Sequence, residues 1–414
     1  MAEVRSVAKR SGYSDPELFR FAGSMEGLPE WVDPVHTSGA APWQRNAQEW
    51  FAHVAIVLPG VVIAGLLALA GRELADLIGN ELLGVGGAPV SPILIAILLG
   101  LLIRNAIGLP ESYQAGLRLC LQRVLRFGVA LLGLHLSLAT VGSIGLVALP
   151  LVAASIATAL LVVSLINRLL GLPARLGTLV AVGTAICGNS AIVATAPAIR
   201  AREDEVSYAV GCVTLFGLLA LGIHPFLAHS LFDGNALHAG LFLGTAIHDT
   251  AQVAGAGLLY RQQFGGAEAL DAAMVTKLLR NMFMVLVIPG MALIYHRRGE
   301  ERASGMRPAL RQVVPFFVFG FLGLALLRTL GDLGTEPFGG ALDSAVWTRI
   351  VETGVAASAW CLTLAMAAVG LGTDLSRLRT LGLRPLAVGF AAAVTVGAVS
   401  ALLIRGLAPV ASGG

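Results

Sequence analysis

Gly183-Thr184-Ala185-Ile186-Cys187-Gly188-Asn189-Ser190-Ala191 and Gly244-Thr245-Ala246-Ile247-His248-Asp249-Thr250-Ala251-Gln252 decide how this chain reads. Each lies inside an apolar stretch of membrane length, the first running on to Pro197 and the second to Gly257. Glycine, hydroxyl, amide and ionisable side chains in the middle of such a stretch weaken a helix and are expensive in lipid. A site for a solute or an ion is the strongest reason to keep them there.

The composition around them agrees. Of 414 residues, 56% are hydrophobic and 13% charged, and the mean hydropathy is +0.80. That is too apolar for an ordinary soluble domain and places the chain in a lipid bilayer. The formal net charge is +3, and Lys and Arg sit between apolar runs instead of forming a patch, which argues against nucleic acid as a partner. Cys120, Cys187, Cys212 and Cys361 fall in or beside apolar runs with no CxxC spacing, so they read as packing residues, Cys187 excepted because of its polar neighbours, with no metal site and no cofactor expected.

Apolar runs long enough for the ~20 residues a crossing helix needs can be placed at 51–71, 91–109, 119–139, 143–168, 175–199, 206–231, 238–260, 272–295, 311–330, 346–372 and 383–405. The expected fold is therefore an all-α polytopic membrane protein of about 11 transmembrane helices, residues 49–408, behind a cytosolic tail over residues 1–48. The tail has no apolar core of a signal peptide. Within it, Pro16–Phe21 could form a short amphipathic helix, and Trp31, Trp43 and Trp50 suit the lipid interface.

Arg5, Lys9, Arg10, Arg20 and Arg45 in the tail, with Arg118, Arg123, Arg168, Arg175, Arg297, Arg298, Arg377 and Arg379 at the even-numbered connections, put those ends in the cytosol. The C-terminus is then external. Arg200 and Arg202 fall outside in this scheme, and the 232–237 loop without Lys or Arg falls inside. Both anomalies would vanish if 175–199 and 238–260 were re-entrant hairpins, but spans are favoured because their lengths suit crossing and Glu203, Asp204 and Glu205 mute the outer arginines.

Eleven spans divide into one leading helix plus a five-plus-five inverted repeat, about 91–231 and 238–405. The fourth helices of the two halves, 175–199 and 346–372, are then expected to be broken and to cross at mid-membrane.

The motifs quoted above, the Pro197 turn with acidic Glu203–Glu205, and Thr276-Lys277-Leu278-Leu279-Arg280-Asn281 together resemble the YeiH-type family of bacterial membrane proteins, to which sulfate export is ascribed. The resemblance covers about residues 50–405. It implies membership of the bile-acid/sodium symporter and cation/proton antiporter superfamily, whose fold has a panel domain and a core domain with two crossed, broken helices. The chain departs from the resemblance at Asn189, where a small residue is commoner, and at Ala251, where Ser is commoner.

The expected function is a secondary active transporter in the bacterial inner membrane. It would export a small anion such as sulfate or a sulfur-containing anion, coupled to a proton or sodium gradient. A cation/proton antiporter and a sodium-coupled organic anion symporter are the alternatives. An enzyme is not expected, because no HExxH, GxSxG or paired catalytic acids occur at usable spacing. Thr184, Cys187, Asn189 and Ser190 lie within two turns and offer hydroxyl and amide donors to an oxyanion; Thr245, Thr250 and Gln252 are the counterparts on the second segment. His248 and Asp249 are the coupling candidates, because an adjacent imidazole and carboxylate can exchange protons near neutral pH. Capping of a broken helix is the plainer role for the pair. Lys277, Arg280 and Asn281 stand near the outer start of the eighth span, the two cations sharing a face where they could attract an anion. Expected partners are thus the small anion, the coupling ion and the bilayer, with a homodimer left open.

Overall fold

The computed structural model describes residues 42–78, 91–298, 316–333, 336–374, 376 and 383–411, and the tail calls on Pro16–Phe21 and Trp31 lie outside them. Among the described residues every regular element is helical. In chain order they are α1 (Pro42–Leu77), α2 (Pro92–Ala106), α3 (Gln114–Leu119), α4 (Leu125–Leu132), α5 (Leu138–Leu169), α6 (Ala174–Ala185), α7 (Asn189–Thr195), α8 (Glu203–Leu231), α9 (Ala236–Ala246) and α10 (Thr250–Phe264). α11 (Ala267–Met282), α12 (Met284–Arg298), α13 (Phe316–Gly331), α14 (Ser344–Gly372) and α15 (Leu383–Ala411) complete the described chain. Among the described residues five helices, within α1, α5, α8, α14 and α15, are long and apolar enough to cross a membrane, and α11 with α12 makes a sixth if the pair, bent by 40°, is one span.

Side-chain caps set where several of these helices begin. Ser137 Oγ accepts from the Thr140 amide at 3.1 Å ahead of α5, Asn235 Oδ1 from the His238 amide at 2.9 Å ahead of α9, and Asp343 Oδ1 from the Ala345 amide at 2.8 Å ahead of α14. Each satisfies an amide that the first turn leaves without a helical partner.

The helices form two bodies. In the first, α1–α4, α13 and α14 pack through small residues that let backbones approach. A Cβ on Gly100 of α2 would stand 2.8 Å from the Leu371 amide and 3.0 Å from the Ala367 carbonyl of α14, and Ser358 Oγ donates to the Gly128 carbonyl at 2.6 Å. The second body holds α5–α12 and α15. The bodies share a buried apolar seam, with Gly255 of α10 against Met366 of α14, and at one end Ser91 Oγ donates to Gln262 Oε1 at 2.5 Å and His135 Nδ1 pairs with Asp271 Oδ2 at 2.8 Å.

The second body corrects the expectation that 175–199 and 238–260 cross. Near the α5–α6 turn, Leu176, Ile199, Ala201, Val206 and Val388 share one buried cluster, and a Cβ on Gly183 would stand 2.8 Å from the Ile192 side chain. The chain therefore goes in along α6, turns, and returns beside its starting point. α8 then runs parallel to α15: Gly389 lies against Cys212 and Phe216, Gly397 against His224, and Arg405 Nη2 donates to the Leu231 carbonyl at 3.0 Å.

From the opposite end α9 and α10 make the matching hairpin. Tyr260 Oη donates to the Gly234 carbonyl at 3.4 Å, and the Phe264 and His229 rings stack at 3.9 Å, so the exit of α10 sits beside the approach to α9. The two re-entrant elements are too short to do otherwise, since 12 residues of α6 and 11 of α9 at 1.5 Å per residue reach only about 18 Å, roughly halfway through a ~30 Å hydrocarbon layer. Arg200 and Arg202 thereby join the end that carries Arg168 and Arg175, and the charge anomaly disappears.

The repeat register is corrected as well. α14 is a single unbroken helix over Ser344–Gly372, so the partner of the 175–199 break is 238–260. The breaks fall fourth among the segments of one expected half and first among those of the other, which a five-plus-five repeat in that register does not allow.

Candidate functional site

The hairpin tips meet at the centre of the second body. α6 ends at Ala185, and Gly188 turns the chain with φ 73° and ψ −123° before α7 begins at Asn189. This left-handed conformation is open to glycine and strained for other residues. A Cβ there would also stand 3.1 Å from Asp249 Oδ2 and 3.3 Å from Asp249 Cβ on the second tip. Glycine is required twice over.

Breaking two helices leaves carbonyls at the ends of α6 and α9 with partial negative charge and no amide partners. Lys277 and Arg280, both fully buried, supply the donors. Lys277 Nζ donates to the Ile186 carbonyl at 2.7 Å, the Ile247 carbonyl at 3.0 Å and the His248 carbonyl. Arg280 Nε donates to the Ala185 carbonyl at 2.7 Å and Nη1 to the Thr245 carbonyl at 2.7 Å, while Nη2 donates to the Thr184 carbonyl. One turn of α11 thus clamps both tips. The i, i+3 spacing does put the two cations on one face, but they sit at the buried centre of the molecule and not near the start of an outer helix.

A cavity of about 160 Å³ begins at the tips and runs between the two bodies to Arg104, Gln114, Arg118 and Asp374, at the end opposite the Ser91–Gln262 contact. Among the expected binding residues, Cys187, Asn189, Ser190, Thr250 and Gln252 line it, as do Asp249 and Asn281. Thr184, Thr245, His248, Lys277 and Arg280 do not. Thr245 Oγ1 bonds back to the Leu241 carbonyl at 2.7 Å, and Thr184 serves through its carbonyl. His248 and Asp249 are thereby separated: only the carboxylate reaches the cavity. Asp249 Oδ1 accepts from the Ala251 amide at 2.8 Å and caps α10, the plainer of its two expected roles.

The polar groups are ordered among themselves. Asn189 Nδ2 donates to Thr214 Oγ1 at 3.2 Å, Gln252 Nε2 donates to the Thr214 carbonyl at 3.3 Å, and Asn281 Nδ2 donates to Thr250 Oγ1 at 3.1 Å. Cys187 Sγ stands 3.6 Å from Met284 Sδ. Thr214, the residue that ties the two hairpins to α8, carries no sequence signal beyond a hydroxyl in an apolar helix. Arg118 and Arg126 line the cavity from the first body, where the sequence marks Arg118 only as an orientation charge and gives no signal for Arg126. Among the described residues no group of three or more His, Cys, Asp or Glu could hold a metal ion.

Helices of membrane length, two half-length hairpins and a polar cavity at their tips define an all-helical polytopic membrane protein. The chain belongs to the family described as Conserved hypothetical protein 698, which matches it over residues 64–389; the YeiH-type resemblance fits this family. It is similar to a UPF0324 membrane protein of Streptococcus pyogenes serotype M18, 33% identical over 343 residues, 83% of this chain and 95% of the relative. A UPF0324 membrane protein of Agrobacterium fabrum is 30% identical over 374 residues, 89% of this chain and 97% of the relative. One of Fusobacterium nucleatum is 29% identical over 347 residues, 83% of this chain and 96% of the relative. No solved structure matches.

Proposed function

We propose that this protein is a secondary active transporter that exports a small anion, with the binding site at the hairpin tips. The observation that carries the reading is the clamp. Lys277 and Arg280 neutralise the negative ends of the broken helices from behind, while amide and hydroxyl groups of Asn189, Ser190, Thr250 and Asn281 line the cavity in front. A half-crossing pair of hairpins is also how a solute site is brought to the bilayer centre without lipid-exposed backbone.

Arginines at the cavity mouth and at the α5–α6 turn favour that end as the cytosolic one, and this reading has a cytosolic N-terminus, an external C-terminus and a site loaded from inside. Asp249 favours coupling to a proton or sodium, and its place in the cavity also supports the second reading, a cation/proton antiporter. Reconstitution in proteoliposomes separates them. Counterflow of a labelled anion supports the first; proton movement that depends on sodium and needs no anion supports the second and sinks the first.

A further inference from the structure

The two walls of the cavity differ in chemistry. The wall from the second body is polar, through Asn189, Ser190, Thr214, Thr250 and Asn281. The facing wall, from α3 through the Cys120–Val124 turn to α4 and from α13 and α14, is mostly apolar, through Leu117, Leu121, Leu125, Val129, Phe317 and Leu371, with Gln114 and Thr373 toward the mouth. Arg126 interrupts it, with its guanidinium 5.9 Å from the Phe317 ring centre, and Arg118 stands about two turns before it. Counting both walls, three arginines face two aspartates, and one of each is paired as Arg104–Asp374 at 3.1 Å.

A bare tetrahedral oxyanion carries acceptors in every direction and would turn some of them toward leucine and phenylalanine, where they lose their water and gain no donor. Resting on the anion reading above, we propose that the site takes an organic anion with an apolar body. Its charged head lies against Asn189, Ser190 and Asn281, its body lies along Leu121, Val129 and Phe317, and inorganic sulfate is a poor ligand.

The test uses the full chain purified in detergent and follows thermal stabilisation by sodium sulfate, by the n-alkylsulfonates from methane- to hexanesulfonate, and by n-alkylammonium ions of the same lengths. A ligand of the folded state raises the melting temperature, and at a fixed concentration the rise grows with the logarithm of its affinity. Each buried CH₂ is worth roughly fourfold in binding, so affinity is expected to climb along the sulfonate series until the wall is covered. Sulfate and the ammonium ions should stabilise little. Leu121→Asn should flatten the climb while leaving methanesulfonate binding in place, and Val129→Thr serves the same purpose if that variant does not fold. Sulfate binding as tightly as hexanesulfonate, or a flat series in the unmodified protein, overturns the organic-anion proposal and leaves the anion reading standing. Stabilisation by the ammonium series alone, or by none of the compounds, overturns both.

Discussion

Replacing Lys277 with Met keeps the length and volume of the side chain and removes its charge and donors. Three carbonyls, those of Ile186, Ile247 and His248, lose their contact with Nζ. Ile247 keeps a second donor, because Arg280 Nη1 lies 3.4 Å from its oxygen. Two buried acceptors are left bare, at ~1–3 kcal/mol each, a gross loss of about 2–6 kcal/mol. Against this, the variant no longer buries an ammonium, a relief of as much as several kcal/mol before its partners are counted. The carbonyls have been the larger effect in the folded protein, since the tips cannot turn to water without separating. A net loss of about 2–4 kcal/mol is expected, read as a lower melting temperature of the detergent-purified chain. A Lys277→Met protein that melts with the wild type but no longer binds anion would refute the clamp and return Lys277 to the anion-attracting role read from sequence.

Gly188→Ala should destabilise by about 1–3 kcal/mol from backbone strain alone, with Asp249 Oδ2 at 3.1 Å from the new Cβ adding to it; Gly171→Ala, also at positive φ but in open space, should cost less in the same melting experiment. Asn189→Leu should abolish transport in proteoliposomes while expression and folding stay near normal, and wild-type flux would take the residue out of the site. Asp249→Asn keeps a side-chain oxygen to cap α10 and removes the charge, so transport should lose its pH dependence while exchange down a substrate gradient survives. An unchanged pH profile would leave Asp249 as a cap only. Asp233→Cys, in the turn between α8 and α9, should react with an impermeant thiol reagent only from outside the cell, whereas reaction from the cytosol would restore two crossing spans.

What the sequence made legible was the pair of interruptions and the bilayer around them, because glycine, amide and carboxylate are conspicuous in an apolar run. Whether each interrupted run crosses or folds back was harder to read. Twenty-five apolar residues suffice for either, and the difference lies in which faces meet: Gly183 against Ile192 in the first hairpin, Ala236 beside Gly266 in the second. Arg200 and Arg202 carry the clue, because their charge fits the cytosolic end while the length of the 175–199 run fits a crossing. The partners of Lys277 and Arg280 were beyond reach for another reason. Their acceptors are backbone carbonyls, identical in every residue type, contributed from 91 and 30 positions away for Lys277, so no local pattern marks them.

The clamp also bears on how such a site could work. Because one turn of α11 holds both tips, the hairpins, α8 and α11 behave as one unit around the Asn189–Thr214 and Asn281–Thr250 bonds. The contacts that join this unit to the first body are of a different kind. Ser91–Gln262 and His135–Asp271 are single polar pairs at one end, and Arg104–Asp374 lies within the first body at the cavity mouth. A substrate seated between the walls touches both bodies, and a shift of one past the other repacks the apolar seam around Gly255 and Met366 and breaks a few hydrogen bonds at the closed end while leaving the buried cations fully paired. Movement of the second body as a whole spares the clamp, which any rearrangement of the tips would break, and alternating exposure of the cavity would follow from the bodies shifting around it.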